Sequence, residues 1–563
     1  MNRQLLSDAE QALFSSLREL QDHAAAVWQD REKEGLIALV RSLDSLTTAS
    51  YWGQYSLSDG ATSQRRLNHA MLCMGAPYAL RPLLAAVRDQ GDGVPFAPNH
   101  QKVAKFSYAY LMSCGQLAFL CRLAMLERYG LAHTKRLGPD HIRIETEGSA
   151  PEQALLSSLD RTNKSPVVSP QFSSEQWKHI HARMSRYVDV HNDWFIRYEN
   201  DWEIVMAYRE KAKSLGQNFL EAEALPDDTR IGDRSFGDWK TACEQALGRV
   251  LAHMDFAVLL KIKRPSIALH DVLTIFARRE DVEAVWEEAG LAKGRILPTM
   301  QALTLAIDGL DDWERAYEMP ASFYIDFGKN FVLLPCFGAL ANPYFALFRH
   351  LRSTYRRDWD SGVDRREAIF RADLARAFPA PRFMVPLRGQ RLYRPDGSIL
   401  TDIDAVIIDM ETGSVVLTQL KWHDVFGFSL AERDSRRRNI GKANEWVERI
   451  WSWVDGRSSA EILRELRINA PGSARPPFLY VIARYAARFA GDHDQDRRAS
   501  WLSWQEILHA VDSDTMDVDP LAQIPEAIHS RQTRFESPAT TEMNFQFRSL
   551  RVTLQIKVSS DQC

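Results

Sequence analysis

At 563 residues the chain exceeds what one ordinary hydrophobic core organises, so two to four domains are expected. Its 45% hydrophobic and 26% charged residues are those of a globular protein and exclude a disordered or fibrous chain. A formal charge of −4 excludes a global attraction to nucleic acid, so any such binding has to be local.

The six cysteines (Cys73, Cys114, Cys121, Cys243, Cys336, Cys563) form no CxxC pair, which argues against zinc ribbons and disulfide frameworks and for a reducing compartment. No basic segment followed by an apolar core opens the chain. The uncharged run Val332 to Phe348 is interrupted by Pro335, Gly338, Asn342 and Pro343 and falls short of a bilayer span. A soluble, cytoplasmic protein with no membrane partner is the expectation.

The first three hundred residues read mainly as helix. Ser7 and Glu10 have capping-box spacing ahead of a long amphipathic segment. Helical patterns follow at about 63–89, 101–130, 236–260 and 266–290, with a breaker-rich loop at 148–174. Trp177, His181, Met184, Val188, His191, Phe195, Tyr198, Trp202 and Val205 recur at spacings of four and three, which predicts one long helix with these residues on its packed seam. On such a seam His181 and His191 read as core histidines; their spacing is not that of a HExxH zinc site.

Near residue 320 the pattern changes. Residues 322–334 predict a hairpin turning at Gly328-Lys-Asn330, followed by helices at about 343–357 and 364–378. Thr401 to Lys421 then reads as two apolar strands around Glu411-Thr-Gly413, with a helix at about 431–454 after it. Residues 476–483 read as a buried strand, so strands and helices alternate as in an α/β unit. Residues 512–542 read as an extended connection and 544–558 as one final strand. The expected division is a helical region over 1–315, an α/β domain over 316–510 and a C-terminal extension over 511–563.

Polar groups interrupt the 401–421 hairpin at its two far ends. Alternation puts Asp402 and Asp404 on the face of Val406 and Ile408, and it puts Gln419 and Lys421 on one face of the second strand. Folding about Gly413 brings Asp404 roughly opposite the Gln419–Lys421 end, where cross-strand side chains can share an ion. Glu367 lies on the helix just before the hairpin. Hydrolysis of a phosphodiester needs an activated water and compensation for charge growing on phosphoryl oxygens, and carboxylates holding Mg²⁺ beside a fixed lysine provide both.

Asp404, fourteen intervening residues and Gln419-x-Lys421 resemble the PD-(D/E)xK, or restriction-endonuclease-like, nuclease superfamily in the QxK form of Mrr-type restriction endonucleases. The resemblance covers about 360–490. It implies a mixed central sheet flanked by helices, a Mg²⁺ or Mn²⁺ cofactor and an endonuclease acting on DNA in phage defence or repair. It also implies metal ligation by Asp404, Gln419 and Glu367, a catalytic Lys421 and an accessory Asp402. This chain departs from the family in carrying Ile403 before Asp404, and in carrying the neutral Gln419 where a carboxylate is usual.

From Leu351 to Arg394 there are eleven arginines and five acids, and Arg433, Arg436, Arg437, Arg438 and Lys442 cluster on the next helix. They are the expected phosphate contacts, because backbone tracking is largely independent of sequence. Its apolar stripe, Ile440, Ala443, Val447, Ile450 and Val454, is expected to pack on the sheet. Gly441-Lys442 lacks the upstream glycine of a P-loop. Two other readings remain: a catalytically inactive nuclease-like module that binds DNA or assembles a complex, and a partner-binding scaffold in the helical region.

Overall fold

The computed structural model describes residues 7–53, 59–91, 93–146, 173–423, 430–485, 495–511, 518–532 and 539–558; the loop predicted at 148–174 lies, up to residue 172, outside them. Four helices open the chain: α1 (Asp8–Val27), α2 (Glu32–Gly53), α3 (Asp59–Val87) and α4 (Gln101–Met125). The capping box forms: the Ser7 hydroxyl accepts the Glu10 N–H at 3.2 Å, and the Glu10 carboxylate accepts the Ser7 N–H at 2.7 Å. Where α3 crosses α4, a Cβ on Gly75 would stand 2.2 Å from the Gly115 nitrogen, so only glycine allows this approach. Asn68–Val87 and Gln101–Tyr129 are long and apolar enough to cross a membrane by length and composition; 67% and 50% of their most apolar windows are buried inside the chain.

After a hairpin of β1 (Ala132–Gly138) and β2 (His141–Thr146), the seam predicted from Trp177 to Val205 is not one helix. The helix Ser174–Tyr187 ends, β3 (Asp189–His191) pairs with β4 (Phe195–Arg197), and a new helix runs over Trp202–Gly216. Asn192 and Asp193 adopt φ of 49° and 62°, a left-handed turn these side chains tolerate. Asp201 then caps the second helix by accepting the Ile204 N–H at 3.0 Å. Turn chemistry thus overrides the apolar spacing. His181 is half-buried with Nε2 3.8 Å from Asp255, and His191 is exposed, so neither is a core histidine.

A short ribbon, β5 (Arg230–Ile231) with β6 (Arg234–Ser235), leads into the helix Phe236–Lys263, the centre of a second apolar core. The helix predicted at 266–290 is split into Leu269–Val272, β7 (Ile275–Arg278) and Arg279–Glu288. A sheet neighbour causes the split. β8 (Thr304–Leu305), β9 (Tyr324–Asp326) and β10 (Phe331–Leu334) form a sheet in the order β7-β10-β9-β8, and β7 pairs with β10 along its whole length. Gly328, at φ 77°, makes the predicted turn between β9 and β10. Strands from both sides of residue 315 therefore share one sheet through the β8–β9 pairing.

Beyond the helices Phe345–Thr354 and Arg366–Ala377 comes a layered α/β region. Its strands are β11 (Phe383–Met384), β12 (Gln390–Tyr393), β13 (Ile399–Ile403), β14 (Ala405–Asp409), β15 (Val415–Lys421), β16 (Phe478–Ala483) and β17 (Ser500–Ser503). Five form a mixed sheet in the order β11-β14-β15-β16-β17, antiparallel as far as β15 and parallel beyond it. The period of two divides its side chains between two cores. Val406, Ile408 and Leu417 pack on the stripe Ile440, Ala443, Val447 and Ile450 of the helix Leu430–Val454. Ala405, Ile407 and Val416 pack on Phe370 and Leu374 of Arg366–Ala377 and on the helix Trp504–Val511. The chain is thus an N-terminal helical region with small sheets, joined to a mixed sheet flanked by helices.

The C-terminal segment departs from expectation. Within 512–542, expected to be extended, Pro520–Gln532 is a helix that buries Leu521, Ile524 and Ile528 against the sheet; 512–517 and 533–538 lie outside the described residues. The single final strand is instead a hairpin of β18 (Ala539–Gln546) and β19 (Arg551–Val558), closed where the Phe547 N–H donates to the Leu550 carbonyl at 2.8 Å. β19 runs parallel to β2, giving the order β1-β2-β19-β18, and Val552 and Leu554 join Ile142 and Ile144 in the core of α1–α4. The last described strand thus packs on the core that α1 opens.

Candidate active site

The long predicted first strand changes partners at Asp404. β13 pairs with β12, and β14 pairs with β15. Ile403 and Val406 lie in the same core, so side-chain alternation slips by one residue between them. Asp402 and Asp404 therefore do not share a sheet face: Asp402 is exposed, whereas Asp404 is 3% exposed. The expected common face rested on uninterrupted alternation, which the change of strand removes.

The pairing Ala405 with Thr418 sets Asp404 opposite Gln419, and the Asp404 N–H donates to the Thr418 carbonyl at 3.0 Å. Asp404 Oδ2 accepts the Leu420 N–H at 2.7 Å and a hydrogen bond from the Gln419 side-chain amide. The Gln419 nitrogen thus faces the carboxylate, an assignment that follows from the hydrogen-bonding partner. Burial first, and then the negative charge of Glu367, push the Asp404 carboxyl up to about 6, against the two hydrogen bonds that favour its ionised form.

Lys421 closes the site at the end of β15 and is partly buried. Burial pushes its ammonium below the usual lysine range, while Asp404, Asp402 and Glu367 pull the other way and Lys442 adds to the lowering. The three carboxylates named for the site are therefore within electrostatic reach of Lys421. Glu367 has a half-exposed side chain and forms an ion pair with Arg371 one helical turn later.

Arg371 was not anticipated. Its side chain is 8% exposed; Nε donates to the Asp404 main-chain carbonyl, Nη2 reaches Glu367, and Nη1 donates to the Leu387 carbonyl at 3.4 Å. One guanidinium thus ties the Glu367 helix to the start of β14. The i, i+4 spacing of Glu367 and Arg371 was its only signal in the sequence.

On the adjoining helix, Trp446 Nε1 donates to the Asp402 carbonyl at 2.6 Å, docking Leu430–Val454 beside the site. Arg437 is half-buried and Arg438 and Lys442 are exposed, whereas the side chains of Arg433 and Arg436, like the whole of Asp424, lie outside the described residues. His423 is half-buried, with Nδ1 3.3 Å from Asn439 Nδ2. Near the start of this helix, Asp434 accepts a hydrogen bond from Tyr129 OH at 2.7 Å.

Among the described residues no group of three or more His, Cys, Asp or Glu side chains is placed to hold a metal ion. A closed structural zinc cage is therefore not what these residues build. Mg²⁺ makes a smaller demand, one or two carboxylates completed by water and substrate phosphate. Asp404 and Glu367 are the carboxylates that could answer it, and the charge of Glu367 is felt at Asp404. Gln419 is explained locally, because a carboxylate in its place would face Asp404 with like charge.

Changing Gln419→Glu is accordingly expected to destabilise the metal-free protein by about 1.5–3 kcal/mol, the range for a hydrogen bond to a charged group. Added Mn²⁺ should restore most of the loss, as read by thermal unfolding with and without the ion. A variant that melts like the parent under both conditions would count against this arrangement.

No family model, no curated protein and no solved structure matches the chain.

Proposed function

We propose that the chain is a metal-dependent nuclease of the restriction-endonuclease-like class, hydrolysing phosphodiester bonds of DNA. The observation that carries this reading is the meeting of a buried Asp404, the Gln419 amide and a partly desolvated Lys421 at the ends of paired strands, within electrostatic reach of Glu367. The order helix, antiparallel strands, basic helix, parallel strand around it agrees with the layout that the motif resemblance implies.

In this reading Asp404 and Glu367 hold a Mg²⁺ or Mn²⁺ ion, and Gln419 keeps the Asp404 carboxylate oriented. When bound, the ion supplies Lewis-acid polarisation of the phosphate and acidifies water. Lys421 offers a preorganised positive charge to the phosphoryl oxygens as their charge grows. Arg437, Arg438 and Lys442 lie on the helix beside the site and suit backbone phosphates, with Arg433 and Arg436 extending the same run of sequence.

The test is incubation of the purified full chain with supercoiled, linear and single-stranded DNA, and with RNA, in Mg²⁺ or Mn²⁺ and in chelator. Metal-dependent nicking of DNA is expected; absence of cleavage on every substrate would sink the assignment.

One observation favours a second reading, a nuclease-like module that binds DNA or assembles a complex without cutting. The carboxylate set is thin, and Asp404 is already hydrogen-bonded by Gln419. Calorimetry with Mn²⁺ separates the readings: heat of binding lost in Asp404→Ala supports the nuclease, and no binding by the parent supports the silent module.

A further inference from the structure

The residue after the candidate lysine is held by two arginines, and both also grip the helical region. Trp422 lies under the Arg484 guanidinium, 4.6 Å from the ring centroid, with Arg366 at 5.9 Å. Arg484 is 10% exposed and two-armed: Nη1 meets Asp373 at 2.5 Å, and Nη2 meets Glu223 at 2.6 Å. Its own N–H donates to the Lys421 carbonyl at 2.8 Å. Arg366 Nε donates to the Ala224 carbonyl at 2.7 Å, and its Nη1 to the Trp422 carbonyl at 3.4 Å.

Glu223 and Ala224 belong to a short turn anchored in the helical core, where Ala224 and Leu225 are 4% and 3% exposed. One polar path thus runs from that core through turn 220–224 to the two arginines, and from them to the carbonyls of Lys421 and Trp422. Asp373 alone would satisfy Arg484 from within the α/β region, so the second arm to Glu223 is what ties Lys421 to the helical part.

We propose that Arg484 and Arg366, with Glu223 and Ala224, form a positioning bracket through which the helical region sets the orientation of Lys421. The site is then fully assembled only while the α/β region is docked on turn 220–224. The catalytic half of this inference rests on the nuclease reading of Lys421; the mechanical half does not. These are positioning residues, since none of them touches the reacting groups.

The experiment is Glu223→Gln in the full chain, chosen because the Glu223 side chain is 55% exposed and the fold does not depend on burying it. Two readouts are taken. Hydrogen exchange at the Arg484 amide, which donates to the Lys421 carbonyl, should quicken at least about three-fold while the melting temperature stays unchanged, as for a local opening. On a DNA substrate with Mg²⁺, kcat should fall about ten-fold with KM unchanged, as for a misplaced group acting in the chemical step. Unchanged exchange at the Arg484 amide overturns the bracket whether or not the protein cleaves DNA. Unchanged kcat in Glu223→Gln, with Lys421→Ala inactive, overturns it as a positioning device and leaves the nuclease reading standing. Full cleavage by Lys421→Ala removes Lys421 from the chemistry and overturns the catalytic half with it, while the exchange result still judges the mechanical half.

Discussion

Replacing Lys421 with alanine is expected to lower metal-dependent DNA cleavage by about 10²–10³-fold, the range for removing one preorganised charge-stabilising group from an active site. The side chain sits at the end of β15, where burial disfavours its charge and the carboxylates of Asp404, Asp402 and Glu367 favour it. A cation held in that balance is partly desolvated, which strengthens its field at a bound phosphate. The fold should survive, because β15 is held by β14 and β16 along its length and the Lys421 side chain lies outside both apolar cores. Single-turnover cleavage with an unfolding curve as control measures the effect. Activity within a few-fold of the parent would remove Lys421 from the mechanism.

The second large effect is expected at Arg371. Arg371→Met keeps the volume but removes a buried guanidinium that serves the Asp404 and Leu387 carbonyls and the Glu367 carboxylate. The Asp404 carbonyl left buried without its donor costs about 1–3 kcal/mol, and the carbonyl of the exposed Leu387 adds less. The Glu367 arm adds less, since that carboxylate is half in water. A total loss of about 2–4 kcal/mol follows by denaturant titration. Cleavage should fall too, because Glu367 and the start of β14 lose their common tether. A loss under about 0.5 kcal/mol would show that water replaces the guanidinium, and that Arg371 organises nothing.

Much of the site was legible because its signals are local. The β14–β15 turn is marked by Gly413, at φ 69°, and by Asp409, which accepts the Glu411 N–H at 2.9 Å; pairing counted outward from it brings Asp404 roughly opposite the Gln419–Lys421 end, and the structure fixes the register at Gln419. The basic helix announced itself by a stripe every three to four residues, and that stripe is buried. Asp402 was misplaced because one residue of slip reverses a face, and nothing local marks a change of partner strand. Arg371 was missed because an arginine on a helix usually points to solvent, and only the fold shows which carbonyls lie above it.

The helical region divides in the same way. Capping at Ser7 and the turn at Gly328 involve neighbours in sequence, and both form as the residues dictate. The long seam from Trp177 failed because spacing alone cannot weigh a turn at Asn192–Asp193 against continued helix. β7 became a strand because β10 was there to pair with it, and β19 returned to β2 across some four hundred residues. By itself, then, the sequence determined helix and strand where pattern and caps agree, and it put Asp404 near the Gln419–Lys421 end; the exact register came from the fold. Only the tertiary structure decided the slip at Asp404, the tether through Arg371 and the return of the C-terminus, because strand partners and buried polar contacts depend on segments far apart in the chain.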